Sequence, residues 1–125
     1  KLPFMDWRQL PAVIAGLDIN LMPLENSLFH WCKSENKWTE AALVKVPSVM
    51  SRNCEMEYVV ENGKDGWMCT TKEEWVNALE ALVTDEKARK AMGEAAHQKV
   101  MEHYLTVNTG KDAMEELLCS ESYTK

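Results

Sequence analysis

Residues 18 to 50, DINLMPLENSLFHWCKSENKWTEAALVKVPSVM, restrict the fold more than any other stretch of this chain. They read as an apolar strand, a polar loop, a helix and a second apolar strand. Between Asp18 and Leu24, residues Ile19, Leu21, Met22 and Leu24 are all apolar, which suits a parallel strand covered on both faces better than a one-sided strand. Pro23 marks its exit. Residues 25 to 33 read as a loop. Ser34 is a good N-cap for a helix from Glu35 to Val44, in which Trp38, Ala41 and Ala42 form an inward stripe. Val46 to Met50 is the next strand, and the crossover joining two parallel strands is right-handed. Open α/β sheets bind ligands where strand carboxyl ends and helix N-termini meet. The sequence therefore predicts a polar concavity built from loop 25 to 34 and the start of helix 35 to 44, with Lys33, Ser34, Lys37 and Glu40 as candidate site residues.

The flanking sequence supplies the rest of an α/β domain. Trp7 to Leu17 reads as a short amphipathic helix, with Pro11 in its first turn and Gly16 near its end. Cys54 to Val60 is a second short helix. Asn62-Gly63 and Asp65-Gly66 make turns before a brief extended segment. The chain is helical over 71 to 118. Thr71 and Glu74 form a capping box, and Trp75, Ala78, Leu79, Leu82 and Val83 form the expected buried face. Asp85 to Tyr104 follows, with Ala88, Met92, Ala95, Ala96 and Val100 on one side, and then a last helix from Thr109 to Leu118. The predicted fold class is α/β, a Rossmann-like parallel sheet with flanking helices.

Composition narrows the partners. A chain of 125 residues is one domain's worth of material and buries a real core. Its formal net charge of -6 argues against nonspecific binding to nucleic acid or anionic membrane. No apolar run approaches the roughly 18 residues that span a bilayer, and KLPFMDWRQLP has no signal-peptide pattern. Cys32, Cys54, Cys69 and Cys119 form no CxxC pair and lack zinc-site spacing. The reading is of reduced thiols in a cytoplasmic protein, without metal.

Several pieces in order carry a family resemblance: a strand ending in Pro23-Leu24, a loop containing Phe29, KSENKWTEAA, VPSVMS, NGKDGWM, and the closing helices EEWVNALEALVTDEKARKAMGEAA. Together they resemble the C-terminal nucleotide-sugar-binding domain of GT-B glycosyltransferases of group 1 (family 4), over nearly the whole chain. The resemblance implies a retaining enzyme that transfers a sugar from a nucleotide-sugar donor to a glycan, lipid or small-molecule acceptor without a bound metal. It implies that residues 1 to 125 are the second part of the C-terminal, donor-binding domain. The N-terminal acceptor domain and the opening strands of the donor domain are then missing, and the isolated chain is inactive.

The residues suit that chemistry. Lys33 and Lys37 lie one turn apart near a helix N-terminus, whose dipole favours a diphosphate. Glu40 supplies a carboxylate that accepts hydrogen bonds from two adjacent hydroxyls. Charge pattern alone leaves open whether Glu40 instead pairs with Lys37 or Lys33 on a solvated face. The resemblance implies that it holds the donor ribose. In the family a motif of two glutamates with seven residues between them ends at this position. Here Cys32 stands at the first glutamate's place, and the arrangement is that of a branch with Lys33-Ser34, Lys37 and Glu40. No catalytic residue is assigned; His30 reads as incidental, and Trp38 and Trp75 as core anchors. The alternative reading is a noncatalytic interaction module that kept the Rossmann-like fold.

Overall fold

Three short strands, each carrying an apolar pair or triplet, assemble into one parallel sheet in the order β1 (Asn20–Met22), β2 (Ser48–Ser51), β3 (Trp67–Cys69). The structure is a computed structural model and describes residues 4 to 111. Asn20, Leu21 and Met22 face Ser48, Val49 and Met50, and Val49, Met50 and Ser51 face Trp67, Met68 and Cys69. The helices that end within the described residues are α1 (Leu10–Ala15), α2 (Leu28–Trp31), α3 (Asn36–Leu43), α4 (Cys54–Val59), α5 (Lys72–Thr84) and α6 (Glu86–His103).

Alternation along β2 sends Met50 to one face and Val49 to the other. Met50 joins Met22, Trp38, Met56, Met68 and Val100, and Val49 joins Cys69, Ala78, Leu82 and Met92. Both faces are therefore covered, as a parallel sheet requires. The α/β class and the βαβ order expected from sequence are those observed. So is the capping box, in which Thr71 Oγ1 accepts the Glu74 N–H and Glu74 accepts the Thr70 and Thr71 N–H groups. Those two backbone donors hold the Glu74 carboxyl below the usual carboxylate range.

Several sequence expectations need correction. The first strand covers only 20 to 22 and lies at the sheet edge, so Leu21 is 49% exposed rather than covered on both sides. The expected loop 25 to 33 contains α2, started by Ser27, whose hydroxyl accepts the His30 N–H. Ser34 does not cap α3. The helical ladder begins at the Glu35 carbonyl, which accepts from Trp38 and Thr39, so Glu35 is the N-cap and makes no side-chain cap bond. Residues 7 to 17 split into a 3-10 turn, Trp7–Gln9, and α1, neither with a buried residue. On α5 the buried residues are Ala78 and Leu82, one turn apart, and Val83 falls about 100° round the helix and is 66% exposed. Ala88 is exposed, and Gly93 is buried instead. The expected helix from Thr109 to Leu118 lies mostly outside the described residues, of which 106 to 111 are helical.

The end of α3 contains a local conflict. Val46 N–H returns to the Ala41 carbonyl at 2.9 Å and Lys45 N–H to the Ala42 carbonyl at 3.0 Å, the paired bonds of a left-handed helix stop. The residue at the left-handed position is Lys45, with φ 63°. A lysine side chain crowds its own backbone there, costing about 1 kcal/mol relative to glycine. Its exposed ion pair with Glu94, at 2.8 Å, returns little of that. Lys45→Gly is expected to stabilise the protein by about 0.5 to 1 kcal/mol and raise Tm by roughly 2 to 5 °C. A fall in Tm in thermal melts would show that the ion pair outweighs the strain.

Candidate functional site

The carboxyl ends of all three strands open into one cavity of about 320 Å³. The exit of β1 contributes Leu24, Glu25 and Asn26, the end of β2 contributes Ser51, Arg52 and Asn53, and the end of β3 contributes Cys69 and Thr70. His30 and Trp31 of α2 and Cys54 and Glu57 of α4 complete the wall. Polar residues directly after an apolar strand meet here because parallel strands end on the same side of a sheet.

The wall is held by hydrogen bonds between strand ends. Ser51 Oγ accepts the Leu24 N–H at 2.9 Å and lies 3.1 Å from the Leu24 carbonyl, to which it donates. Arg52 N–H donates to the Cys69 carbonyl at 3.0 Å. Asn53 Oδ1 caps α4 by accepting the Met56 N–H at 2.8 Å. Trp31 Nε1–H donates to Asn26 Oδ1 at 2.8 Å, which fixes the indole at the rim. His30 Nδ1 lies 2.8 Å from Ser27 Oγ.

The electrostatics of the wall are specific. Among the described residues Arg52 is its only lysine or arginine, and its guanidinium is already 3.0 Å from Glu57 Oε1. Glu25 adds a second carboxylate. Burial pushes the Cys69 thiol up, and the Glu74 carboxylate adds to the effect. That thiol stays protonated at neutral pH and is a poor nucleophile. Among the described residues the wall therefore offers hydroxyl, amide and carboxylate groups with no uncommitted lysine or arginine, a set suited to a hydroxyl-rich, uncharged group.

The residues singled out from sequence lie elsewhere. The expected concavity exists at the expected sheet edge, and its loop side is there in Glu25, Asn26, His30 and Trp31. The start of the next helix does not line it. Lys33 and Ser34 are exposed between α2 and α3, with Lys33 Nζ 4.7 Å from the centre of the Phe29 ring. Lys37 and Glu40 are exposed on α3. Among the described residues neither lysine forms an ion pair with Glu40, so the pairing considered from charge pattern is not formed. Ser51, Arg52, Asn53 and Thr70 were missed. Their signal was the one applied to β1, polar residues at the end of a parallel strand, now at β2 and β3.

Trp38 is the core anchor expected, fully buried, with Nε1–H donating to the Asp65 carbonyl at 2.9 Å. Cys32, Cys54 and Cys69 are unpaired. Among the described residues no helix is long and apolar enough to cross a membrane.

The sequence matches the glycosyl transferase-like family over residues 2–116. Among solved structures the chain is similar to the C-terminal domain of a glycosyl transferase group 1 family protein, LpcC, from Francisella tularensis, with a TM-score of 0.62 at 18% sequence identity. The likeness covers 82% of this chain and 52% of that one, so the chain spans about half the length of the solved structure. No curated protein matches. At that identity the likeness speaks for the fold, and it agrees with the parallel sheet and flanking helices described above.

Proposed function

This chain belongs to the glycosyl transferase-like family, and from that premise we propose that it forms part of the donor-binding domain of a retaining glycosyltransferase. The observation that carries the reading is the cavity at the carboxyl ends of three parallel strands, where this type of sheet takes its ligands. The donor is a nucleotide sugar. Its transferred hexose fits the cavity, with Glu25 accepting from sugar hydroxyls and Asn26, Asn53 and Thr70 exchanging hydrogen bonds with them.

The diphosphate belongs outside that wall, because Arg52 is already committed to Glu57. We assign it to Lys33, Ser34 and Lys37 beside the N-terminus of α3, whose backbone N–H groups have no side-chain cap. Glu40 takes the ribose hydroxyls. Charge developing on the leaving diphosphate is stabilised by these lysines and the helix dipole, with no metal ion required. The acceptor, a glycan, lipid or small molecule, is held by a separate N-terminal domain, so residues 1 to 125 alone do not turn over.

Glu40→Gln tests the assignment in the enzyme that carries this domain. A carboxylate accepting hydroxyl hydrogen bonds contributes about 1.5 to 3 kcal/mol, so kcat/KM for the nucleotide sugar is expected to fall roughly ten- to a hundredfold. Tm should stay within about 2 °C, because Glu40 is exposed and its carboxylate makes no ion pair or hydrogen bond among the described residues. A variant with unchanged kinetics removes Glu40 from the donor site. Loss of turnover on adding EDTA would refute the metal-free reading.

A further inference from the structure

The amino edge of the sheet, opposite the cavity already described, holds a second cavity of about 200 Å³. It lies where the chain enters β1 at Leu17 and Asp18 and enters β2 at residues 44 to 47, against the first two turns of α6. Among the described residues its wall carries three cations, Lys45, Arg89 and Lys90, and two carboxylates, Asp18 and Glu86. A positive wall stands out in a chain of formal net charge -6. It also contrasts with the other cavity, whose one arginine is already paired.

Arg89 is drawn in from solvent. Its side chain is 19% exposed, and Nη1–H donates to the Leu82 carbonyl at 2.8 Å. A guanidinium has five N–H donors, and taking its charge out of water is costly unless an anion meets it. The one carboxylate in reach among the described residues is Asp18, whose Oδ1 stands 3.6 Å from Nη2, beyond hydrogen-bond range, on a side chain 84% exposed. Most of the Arg89 donors therefore have no partner among the described residues, and the residue lines the cavity.

Lys45 points the same way by a different observation. It holds the left-handed region, φ 63°, where glycine fits with less strain. Strain of this kind persists at positions that are used, and what lysine adds there is an ammonium group. The missing Cβ of Gly93 lets α6 press on the Lys45 carbonyl, which fixes the turn. Lys90 and Arg89 lie three and four residues before Gly93, on the same face of α6, so the three cations are set around one space in advance. Lys45 and Lys90 pair with Glu94 and Glu86 at 2.8 and 2.6 Å, but all four side chains are more than half exposed. Such pairs contribute little and yield to a stronger anion.

We propose that this cavity is a phosphate-binding site for a compact ligand, a small phosphate monoester or free phosphate. Arg89 gives the dianion bidentate hydrogen bonds, and Lys45 and Lys90 exchange their exposed carboxylates for it. Leu17, half exposed in the wall, offers apolar contact to the carbon body of an ester. The volume lies below the roughly 300 Å³ at which pockets for drug-sized ligands begin, so a nucleotide sugar does not fit. The proposal does not rest on the donor assignment.

An amide NMR titration of the 125-residue protein with glycerol 3-phosphate tests it. Inorganic phosphate is the second arm, and sodium chloride at matched ionic strength is the control. Saturable shifts are expected at the Asp18, Lys45, Arg89 and Lys90 amides with phosphate and not with chloride. Tighter binding of the ester makes an ester the ligand, and equal binding makes it free phosphate. Lys45→Gly and Arg89→Gln are each expected to weaken binding on the order of tenfold. If Arg89→Gln fails to fold, Lys45→Gly and Lys90→Gln decide, since neither removes a buried contact. Shifts that chloride reproduces, or an affinity unchanged in Lys45→Gly, overturn the proposal. Shifts confined to residues 33 to 40 overturn it as well, because the phosphate is then at the start of α3.

Discussion

Lys99→Met is expected to remove about 3 kcal/mol of stability, the larger share of it through the group the lysine leaves behind. Asp65 is 1% exposed, and one carboxylate oxygen accepts the Glu61 N–H at 2.8 Å while the other pairs with the Lys99 ammonium. The same ammonium donates to the Val59 carbonyl at 2.9 Å, and the Asp65 carbonyl accepts from Trp38. One lysine therefore fastens α6 to the end of α4 and to the turn that seats the Trp38 indole. Methionine keeps the packing of the stem and deletes the charge, so the buried carboxylate loses its counterion. Because the Lys99 side chain is 28% exposed, water reaches part of the site, which places the loss at the low end for a broken buried pair. For a domain of this size the fall in Tm is roughly 10 °C. The double variant Asp65→Asn, Lys99→Met should recover part of it. A single variant melting within about 2 °C of the parent would show that the pair contributes nothing.

Gly93→Ala should be of similar size by a different mechanism. Gly93 lies in the middle of α6, where alanine would ordinarily gain about 1 kcal/mol of helix propensity. A Cβ there would sit 2.1 Å from the Lys45 carbonyl oxygen and 2.8 Å from its carbon. Both obstacles are backbone, at the turn between α3 and β2, so no side chain can rotate away. Relief requires moving α6 off α3, the helix with which it makes its main contact. Overpacking of this kind costs about 1 to 3 kcal/mol and occasionally more, and against the propensity regained the expected net loss is about 2 kcal/mol, or roughly 7 °C in Tm. Gly110→Ala is the control, since nothing among the described residues lies within 4 Å of a Cβ at that position. If both variants melt together, the close approach of α6 to the Lys45 turn is not a real constraint.

The same two positions show where sequence reading stopped. Asp65-Gly66 reads as a turn, and a turn it is, yet nothing near Asp65 in sequence announces that its carboxylate is buried against α6. Nothing in the sequence singles out Gly93, which proves to be a contact. Glu40, Lys33, Ser34 and Lys37 were chosen because strand, loop and helix stood in the right order, and a cavity does open at that edge of the sheet, where the strands' carboxyl ends meet. The cavity wall itself comes from Ser51, Arg52, Asn53 and Thr70 as well as from the first loop. Those residues become neighbours only when β2 and β3 take their places beside β1.

What the sequence determined by itself are the features that act over a few residues. The capping box at Thr71 and Glu74, the buried stripe of Trp38, Ala41 and Ala42, the run of α6 and the alternation of strand with helix are all set by hydrogen bonds and periodicities within one or two turns. Tertiary structure alone decided which face of each strand met which helix and that Leu21 lies at the sheet edge. It also decided that Asp65 meets Lys99, that Gly93 meets Lys45, and that three strand ends share one cavity. Those outcomes depend on groups far apart in the chain, whose free energies of desolvation and packing exist only once the sheet has formed around them.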